Sequence, residues 1–246
     1  MEIFNDDYSI YRWLKLTHQK KTIPQIAELM LQSASKIDKY KLKNSKKLQN
    51  ITITSVQELT ETFHEEFPEF KGLKGGVRGV SIRQLEGTSE TKLSRSVVTV
   101  LKVAEMMNKN KMNVDKDYLK KMIILQTVLT YHLVKYLEKT YKPKQPYGAI
   151  LIYDLEKVNV LTVGKFANDL KDVIKETQHS FSGITKKIVI YKAPMGFKSI
   201  FAAVKVFLAE RLAESIKFCS NFNDMKKAVG EDNTPPEYGG KLVSEV

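Results

Sequence analysis

Two short segments with apolar centres constrain the fold of this chain more than any other feature. They are GAILIYDL at residues 148–155 and KKIVIYKAP at residues 186–194, and the second ends at a proline. A strand that is apolar at nearly every position is typical of a parallel sheet covered on both faces, since contact with water on one face would produce alternation. GVSIRQLE at residues 79–86 and SIKFCSN at residues 215–221 predict two further short strands.

Segments with helical periodicity separate these strands. The predicted helices after the first strand cover residues 91–108, 117–140, 160–177 and 193–210. Strands alternating with helices of this length indicate an α/β lobe with a mostly parallel sheet. Residues 5–40 and the capped segment SVQELTETFHEEF are predicted helical, and the glycine-rich PEFKGLKGGVRG interrupts the pattern. We therefore predict a helical N-terminal domain at residues 1–70 and an α/β lobe at residues 71–246.

Composition limits the class of protein. The chain has 246 residues and a formal net charge of +12, which favours anionic partners such as nucleic acid or an acidic membrane surface. Most of this positive charge comes from lysine. An equally weighted alternative is therefore that the lysines only solvate the surface and bind no anionic partner. One cysteine, an acidic N-terminus without signal-peptide order, and no apolar run of about 20 residues predict a soluble cytoplasmic protein.

Residues that could perform covalent chemistry do not form a recognisable set. The four histidines lack the spacing of a metal site; they are His18, His64, His132 and His179. Cys219 lies in an apolar strand candidate and is predicted to be a buried, unreactive thiol. Asp154 follows a predicted strand, where α/β sites often lie, yet no base–nucleophile pair accompanies it. We therefore expect no catalytic residues, no metal, no cofactor, and a function other than catalysis.

Three landmarks in order carry a family resemblance. They are LIYDLEKVNV, then KKIVIYKAPMGFKSIFAAVKVFLAERLAESIKF, then NTPPEYGG. This series resembles the CRAL-TRIO lipid-binding family, which includes the phosphatidylinositol/phosphatidylcholine transfer proteins. The family's strand-ending D-[LV] pair reads here as Asp154-Leu155. Its N-A-P-x-x-F and K-P-F-L motifs read as KAPMGF and KVFL. Its I-x-F and L-P-x-E-Y-G-G motifs read as IKF and PPEYGG. DDYSIYRWLK is similar to the start of the family's small helical N-terminal domain.

The resemblance implies a fold and a role. A gating helix would cover an apolar pocket above the sheet, and the protein would hold one lipid and exchange it at membranes. The implied gate lining comprises Phe197, Phe201, Val204, Phe207 and Leu208. Because alternate strand residues share a face, candidates for the pocket floor are Ile150, Ile152, Ile188 and Ile190, and the alternate set that faces the lipid stays open.

Lys205 falls within the apolar stripe of the predicted gating helix. In phosphatidylinositol-binding relatives, the K-P-F-L lysine and an acidic residue on the preceding helix contact the headgroup. The resemblance transfers these roles to Lys205 and Asp172, with Arg12 of YRWLK as a third headgroup candidate. Alternatively, Lys205 reaches the rim and covers apolar surface with its stem, and Arg12 is a surface residue.

One departure from the family pattern bears on the ligand. Relatives that also bind phosphatidylcholine carry a Ser-x-Thr pair, and the corresponding positions here are Ala149 and Leu151, which cannot hydrogen-bond a phosphate. The expected function is therefore binding and exchange of phosphatidylinositol, with an anionic membrane as transient partner. The alternatives are a carrier of a sterol or isoprenoid, a lipid-sensing module without transfer, and a nucleic-acid binder, which we do not expect. The sequence indicates no oligomeric state.

Overall fold

A computed structural model of the chain describes most of the predicted α/β lobe and parts of the helices before it. The described residues are 7–16, 21–39, 56–66, 68, 77–82, 96–104, 127–128, 130–139, 142, 146–159, 171–172, 174 and 183–242. His18, His179 and the predicted domain boundary near residue 70 lie outside these ranges, so the division into two domains stays a prediction.

Helices come before the first strand, as predicted. α1 spans Asp7–Leu16, α2 spans Ile23–Lys39 and α3 spans Val56–Glu66. The ends of α1 suit the helix dipole, with the acidic Asp7 in the first turn and a lysine in the last. One face of α1 is packed against the rest of the protein, because Arg12 and Trp13 are only 3% and 1% exposed.

The described strands form one sheet in the order β1-β2-β3-β4-β5. β1 runs antiparallel to β2, whereas β2, β3, β4 and β5 are parallel to one another. Their bounds are Val77–Ile82, Ser96–Lys102, Gly148–Asp154, Thr185–Tyr191 and Ile216–Cys219. This arrangement confirms the predicted α/β class with a mostly parallel sheet.

The prediction of a helix over residues 91–108 is wrong at residues 96–102. Ser96–Lys102 forms β2, and the next two described residues, 103–104, are helical as predicted. The segment SVVTVLK is rich in β-branched side chains, which are stiff at χ1 and pack well on a pleated surface. β2 lies between β1 and β3, and its first six residues are buried, so burial on both faces removed the alternation that identifies a strand.

The pairing register divides the side chains of β3 to β5 between two faces. Paired residues of parallel neighbours point the same way, and alternate residues point to opposite faces. The closed face is packed beneath α6, Phe222–Val229, and carries Ile150, Ile152, Val189, Tyr191 and Cys219. The other face lies beneath α4, Phe197–Lys205; this α4 face carries Leu151, Tyr153, Ile188, Ile190, Ile216 and Phe218.

Two motifs that are distant in the sequence meet at the carboxyl end of β3. The Tyr238 hydroxyl of PPEYGG donates a hydrogen bond of 2.8 Å to Oδ2 of buried Asp154, whose Oδ1 accepts from the Glu156 amide at 2.9 Å. A side chain at Gly240 would clash, because its Cβ would lie 1.9 Å from the Thr234 carbonyl oxygen. Asp154 therefore anchors the C-terminal segment to the sheet.

Candidate functional site

The helix expected to act as a gate is shorter than predicted. After β4, the chain turns at Gly196, which has a left-handed φ of 85°, and α4 then runs from Phe197 to Lys205. Ala209 is extended, and a separate helix, α5, spans Glu210–Ser215. The predicted continuous helix over residues 193–210 is therefore broken, because the backbone at Ala209 leaves helical geometry.

Three aromatic rings connect α4 to the sheet beneath it. Phe201 lies with its ring centre 5.3 Å from that of Phe218, and Phe197 lies 6.1 Å from Phe218 and 6.4 Å from Phe201. The Phe218 pairs meet edge to face, an arrangement that aromatic quadrupoles favour. These rings, with Ile188 and Ile190, form the apolar centre of the candidate site.

The two faces of the sheet are buried to different extents. Every β3 to β5 residue named above on the closed face is buried. Of the residues named above on the α4 face, Ile190 is buried, whereas Leu151, Tyr153, Ile188, Ile216 and Phe218 are half-buried. Ala149 at the amino end of β3 and the β2 residues on the same face are buried. A helix packed to normal interior density would close such a face. The α4 face therefore retains accessible apolar surface beneath its covering helix.

The predicted lining residues fall in different places. Phe197 and Val204 are buried on α4, and Phe201 is half-buried on the same helix. Phe207 and Leu208 follow the end of α4 and are also half-buried. Their position after the last helical residue means that they are not part of the helical stripe that the sequence predicted.

The four predicted floor residues cannot line one pocket. Ile188 and Ile190 lie on the α4 face, whereas Ile150 and Ile152 lie on the closed face and pack with α6. The reason is the pairing register. Ile152 pairs with Val189, so these two residues share the closed face, and Ile188 and Ile190 on either side of Val189 point to the α4 face. The floor beneath α4 is completed instead by Leu151 and Tyr153.

The predicted headgroup pair lies near the end of α4. Lys205 is the last residue of this helix and is exposed, so it does not stand in an apolar wall. Asp172 is half-buried in a helical segment, and the neighbouring Lys171 places its Nζ 4.2 Å from the centre of the Phe207 ring. This cation–π contact brings the segment that carries Asp172 close to the turn that follows Lys205.

Arg12 has a partner that the sequence did not reveal. Its Nη2 forms a buried ion pair with Glu138 and donates to the Tyr147 carbonyl at 3.1 Å, while Glu138 accepts from the Tyr147 amide at 2.7 Å. Gly183, with φ of +80°, allows α1 to approach closely here. A side chain at position 183 would place its Cβ only 2.8 Å from the Arg12 Cβ. These contacts are at the amino end of β3, away from the start of α4 at the carboxyl end of β4.

Lys186 adds a second cation to this neighbourhood. Burial lowers its pKa to about 8, and the nearby Arg12 guanidinium lowers it further than Glu138 raises it. Glu138 follows Val134 by four residues on the predicted helix and therefore shares its buried face. A carboxylate at an apolar position was the sequence signal for this ion pair, and our sequence analysis missed it.

Several titratable groups in the described part of the chain have shifted pKa values, and none of them belongs to a metal-binding cluster. Among the described residues, no three His, Cys, Asp or Glu side chains cluster to hold a metal ion. Cys219 is buried, as predicted, and burial raises its pKa to about 11. Burial, with the nearby Lys135, lowers the pKa of His132 to about 4. No helix among the described residues is long and apolar enough to cross a membrane.

A parallel sheet with one closed face and one accessible apolar face beneath a short helix defines an α/β protein built around an apolar site. The chain belongs to the CRAL/TRIO domain family, whose model matches residues 88–240. The crystal structure of Sfh5 is similar, with a TM-score of 0.62 and 14% identity over 100% of this chain and 77% of that chain. Among curated proteins, none matches this sequence. The family supports binding of a lipid or another small apolar ligand.

Proposed function

We propose that this protein binds one phospholipid, preferably phosphatidylinositol, on the α4 face and exchanges it between membranes. The observation that carries the proposal is the difference between the two faces of the sheet, since only the α4 face keeps accessible apolar side chains under its helix. The protein would act at cytoplasmic membrane surfaces by binding and release, without changing a covalent bond.

The apolar contacts are sufficient to hold such a ligand. Burial of apolar surface contributes about 25 cal/mol per Å2, so two acyl chains that bury several hundred Å2 gain on the order of 10 kcal/mol. Rings such as Phe201 and Phe218 offer large, rigid surfaces for these chains. Release then requires another apolar environment, which a bilayer supplies.

Lys205 and Asp172 would contact the headgroup in this proposal. Exposure of Lys205 at the end of α4 suits a phosphodiester that stays near the protein surface while the chains lie deeper. The contact between Lys171 and Phe207 supports the pairing, because it draws the Asp172 segment towards α4. Arg12 is left out, since its guanidinium is buried against Glu138.

The ends of α4 suit transient contact with an anionic bilayer. Met195 precedes the helix and is 96% exposed, and Val206 follows it and is 76% exposed. Lys198 and Lys205 are exposed on the helix between them. Apolar side chains flanked by lysines favour the membrane interface, where each nearby lysine contributes about 1 kcal/mol on anionic lipids.

A second candidate ligand is a sterol or isoprenoid. Leu151 lies on the α4 face, where a hydroxyl would be needed to hold a phosphate in the phosphatidylcholine manner. An apolar side chain at this position favours a ligand whose polar part is small. The same protein would then carry a lipid without a phosphate group.

Native mass spectrometry with extraction and identification of the lipid tests the proposal. We expect phosphatidylinositol to co-purify, to be depleted about tenfold in Lys205→Ala, and to persist in Lys227→Ala, which removes an exposed lysine from α6 instead. Transfer between vesicles should follow the same order. A sterol retained by both variants would favour the second candidate, and an empty protein that transfers neither lipid would contradict both.

A further inference from the structure

We infer that the Tyr153 hydroxyl determines ligand choice by donating a hydrogen bond to an uncharged oxygen of the bound lipid. This inference rests on the proposed binding of a lipid to the α4 face. It concerns one atom within that face and the chemical group that the atom would recognise. The oxygen is either an ester carbonyl of a glycerolipid or the hydroxyl of a sterol-like lipid, since both accept hydrogen bonds.

Tyr153 lies at the centre of the α4 face. It pairs with Leu101 of β2 and with Ile190 of β4, so strands flank it on both sides. It packs against the cluster that contains Phe197 and Ile190, and the other members of this cluster are all apolar. Its hydroxyl therefore stands among apolar side chains, and the hydroxyl of Thr99, which pairs with Leu151 on the same face, is buried without a hydrogen-bond partner.

The Tyr153 hydroxyl has no hydrogen-bond partner among the residues that the structure describes. By contrast, the hydroxyl of Tyr238 donates to Asp154. Buried tyrosines usually find a partner, because a hydroxyl that leaves water without one loses its hydrogen bonds. A half-buried hydroxyl without a protein acceptor can donate to an acceptor that a ligand supplies.

Tyr153 is enclosed by neighbouring residues but is not fully buried. Its side chain keeps part of its surface accessible. Burial nevertheless raises its pKa to about 12, so the group stays a neutral donor throughout the physiological pH range. Tyr153 is therefore enclosed by protein and still partly accessible on the α4 face.

The acceptor must belong to a mostly apolar molecule. Phe197, Phe201 and Phe218 line the same space and offer no hydrogen bonds. A ligand with several polar groups at this depth would leave all but one of them unsatisfied, which is costly away from water. One uncharged oxygen within a hydrocarbon framework satisfies both the hydroxyl and its apolar neighbours.

Matched ligand pairs in competition binding test this inference with Tyr153→Phe. One pair is dioleoyl phosphatidylinositol and its ether-linked analogue, which lacks the ester carbonyls. The other pair is cholesterol and its 3-deoxy analogue. Tyr191→Phe is the control, because it removes a tyrosine hydroxyl from the closed face of the neighbouring strand. Thermal unfolding of both variants verifies that the fold persists.

We expect Tyr153→Phe to weaken binding of one oxygen-bearing ligand by about threefold to tenfold, the loss of one hydrogen bond. The analogue that lacks this carbonyl or hydroxyl should bind both proteins equally, and Tyr191→Phe should change the binding of neither ligand. The affected pair identifies the oxygen as carbonyl or hydroxyl. Equal weakening of both members of a pair, or none in either pair, overturns the role of Tyr153. Failure of the wild-type protein to bind any of the four ligands overturns the proposed function as well.

Discussion

Replacing Glu138 with methionine is expected to destabilise the protein far more than removing an exposed ion pair. Glu138 is buried, accepts the Tyr147 amide and neutralises the buried guanidinium of Arg12. Breaking a buried pair leaves an uncompensated charge and costs about 3–5 kcal/mol. That is a large part of the total stability of an ordinary domain, about 5–15 kcal/mol. The matched control is Glu156→Gln, whose pair with Lys192 is exposed to solvent and therefore contributes little to stability.

Urea unfolding followed by two signals measures this effect. Trp13 is the only tryptophan of the chain, lies beside Arg12 and is almost fully buried, so its fluorescence reports whether α1 stays docked. Far-ultraviolet circular dichroism reports the whole fold. In Glu138→Met we expect the fluorescence transition to occur at lower urea than the dichroism transition, because the lost contact joins α1 to the start of β3.

The double variant Arg12→Met, Glu138→Met isolates the pair. Replacing both charges with apolar groups of similar size removes the uncompensated charge, so we expect it to cost several kcal/mol less than the sum of the two single variants. If the single variants lose no more than Glu156→Gln, or if their losses simply add, the reasoning about this ion pair is refuted.

Two further predictions concern other parts of the fold. Because the folded-state pKa of Lys186 is lowered to about 8 while the unfolded value stays near 10.5, the unfolded state binds more protons between these values. Stability should therefore rise with pH across that window in the wild-type protein, by roughly 1–3 kcal/mol more than in Lys186→Met, and equal slopes in pH-resolved urea unfolding would refute this. Tyr238→Phe should cost about 1.5–3 kcal/mol by removing the hydrogen bond to the buried Asp154, and a thermal melt unchanged from wild type would exclude that role.

Each of the two longest predicted strands contains an apolar run that ends at a recognisable signal. β3 is apolar at almost every position before Asp154, and β4 carries the run IVIY before the proline at 194. β2 lacked such a boundary, because its valines run into KVAEMM, whose residues favour helices. Local preference therefore extended the predicted helix backwards over residues that tertiary burial places in the sheet.

The site was harder to predict than the fold, because it depends on register and on helix ends. Ile150 and Ile188 look equivalent in the sequence, yet a pairing of Ile150 with Lys187 places them on opposite faces. The apolar stripe was drawn on a helix assumed to be continuous. The helix ends at Lys205, so Phe207 and Leu208 lie in the turn that follows it, and the extended backbone at Ala209 separates this turn from α5.

Polar residues at apolar positions were the informative signals in this sequence, and the structure accommodates each of them in a different physical way. The charge of Lys205 is solvated, because α4 ends there and the ammonium group reaches water. The carboxylate of Glu138 is neutralised by the Arg12 guanidinium, and this ion pair joins α1 to the sheet. Tyr153 is half-buried on the α4 face, and its hydroxyl has no hydrogen-bond partner among the described residues. A hydroxyl in that position can donate to an oxygen of a ligand, which is why a ligand is expected there. The same reasoning that makes Glu138 structural thus makes Tyr153 the better indicator of ligand chemistry.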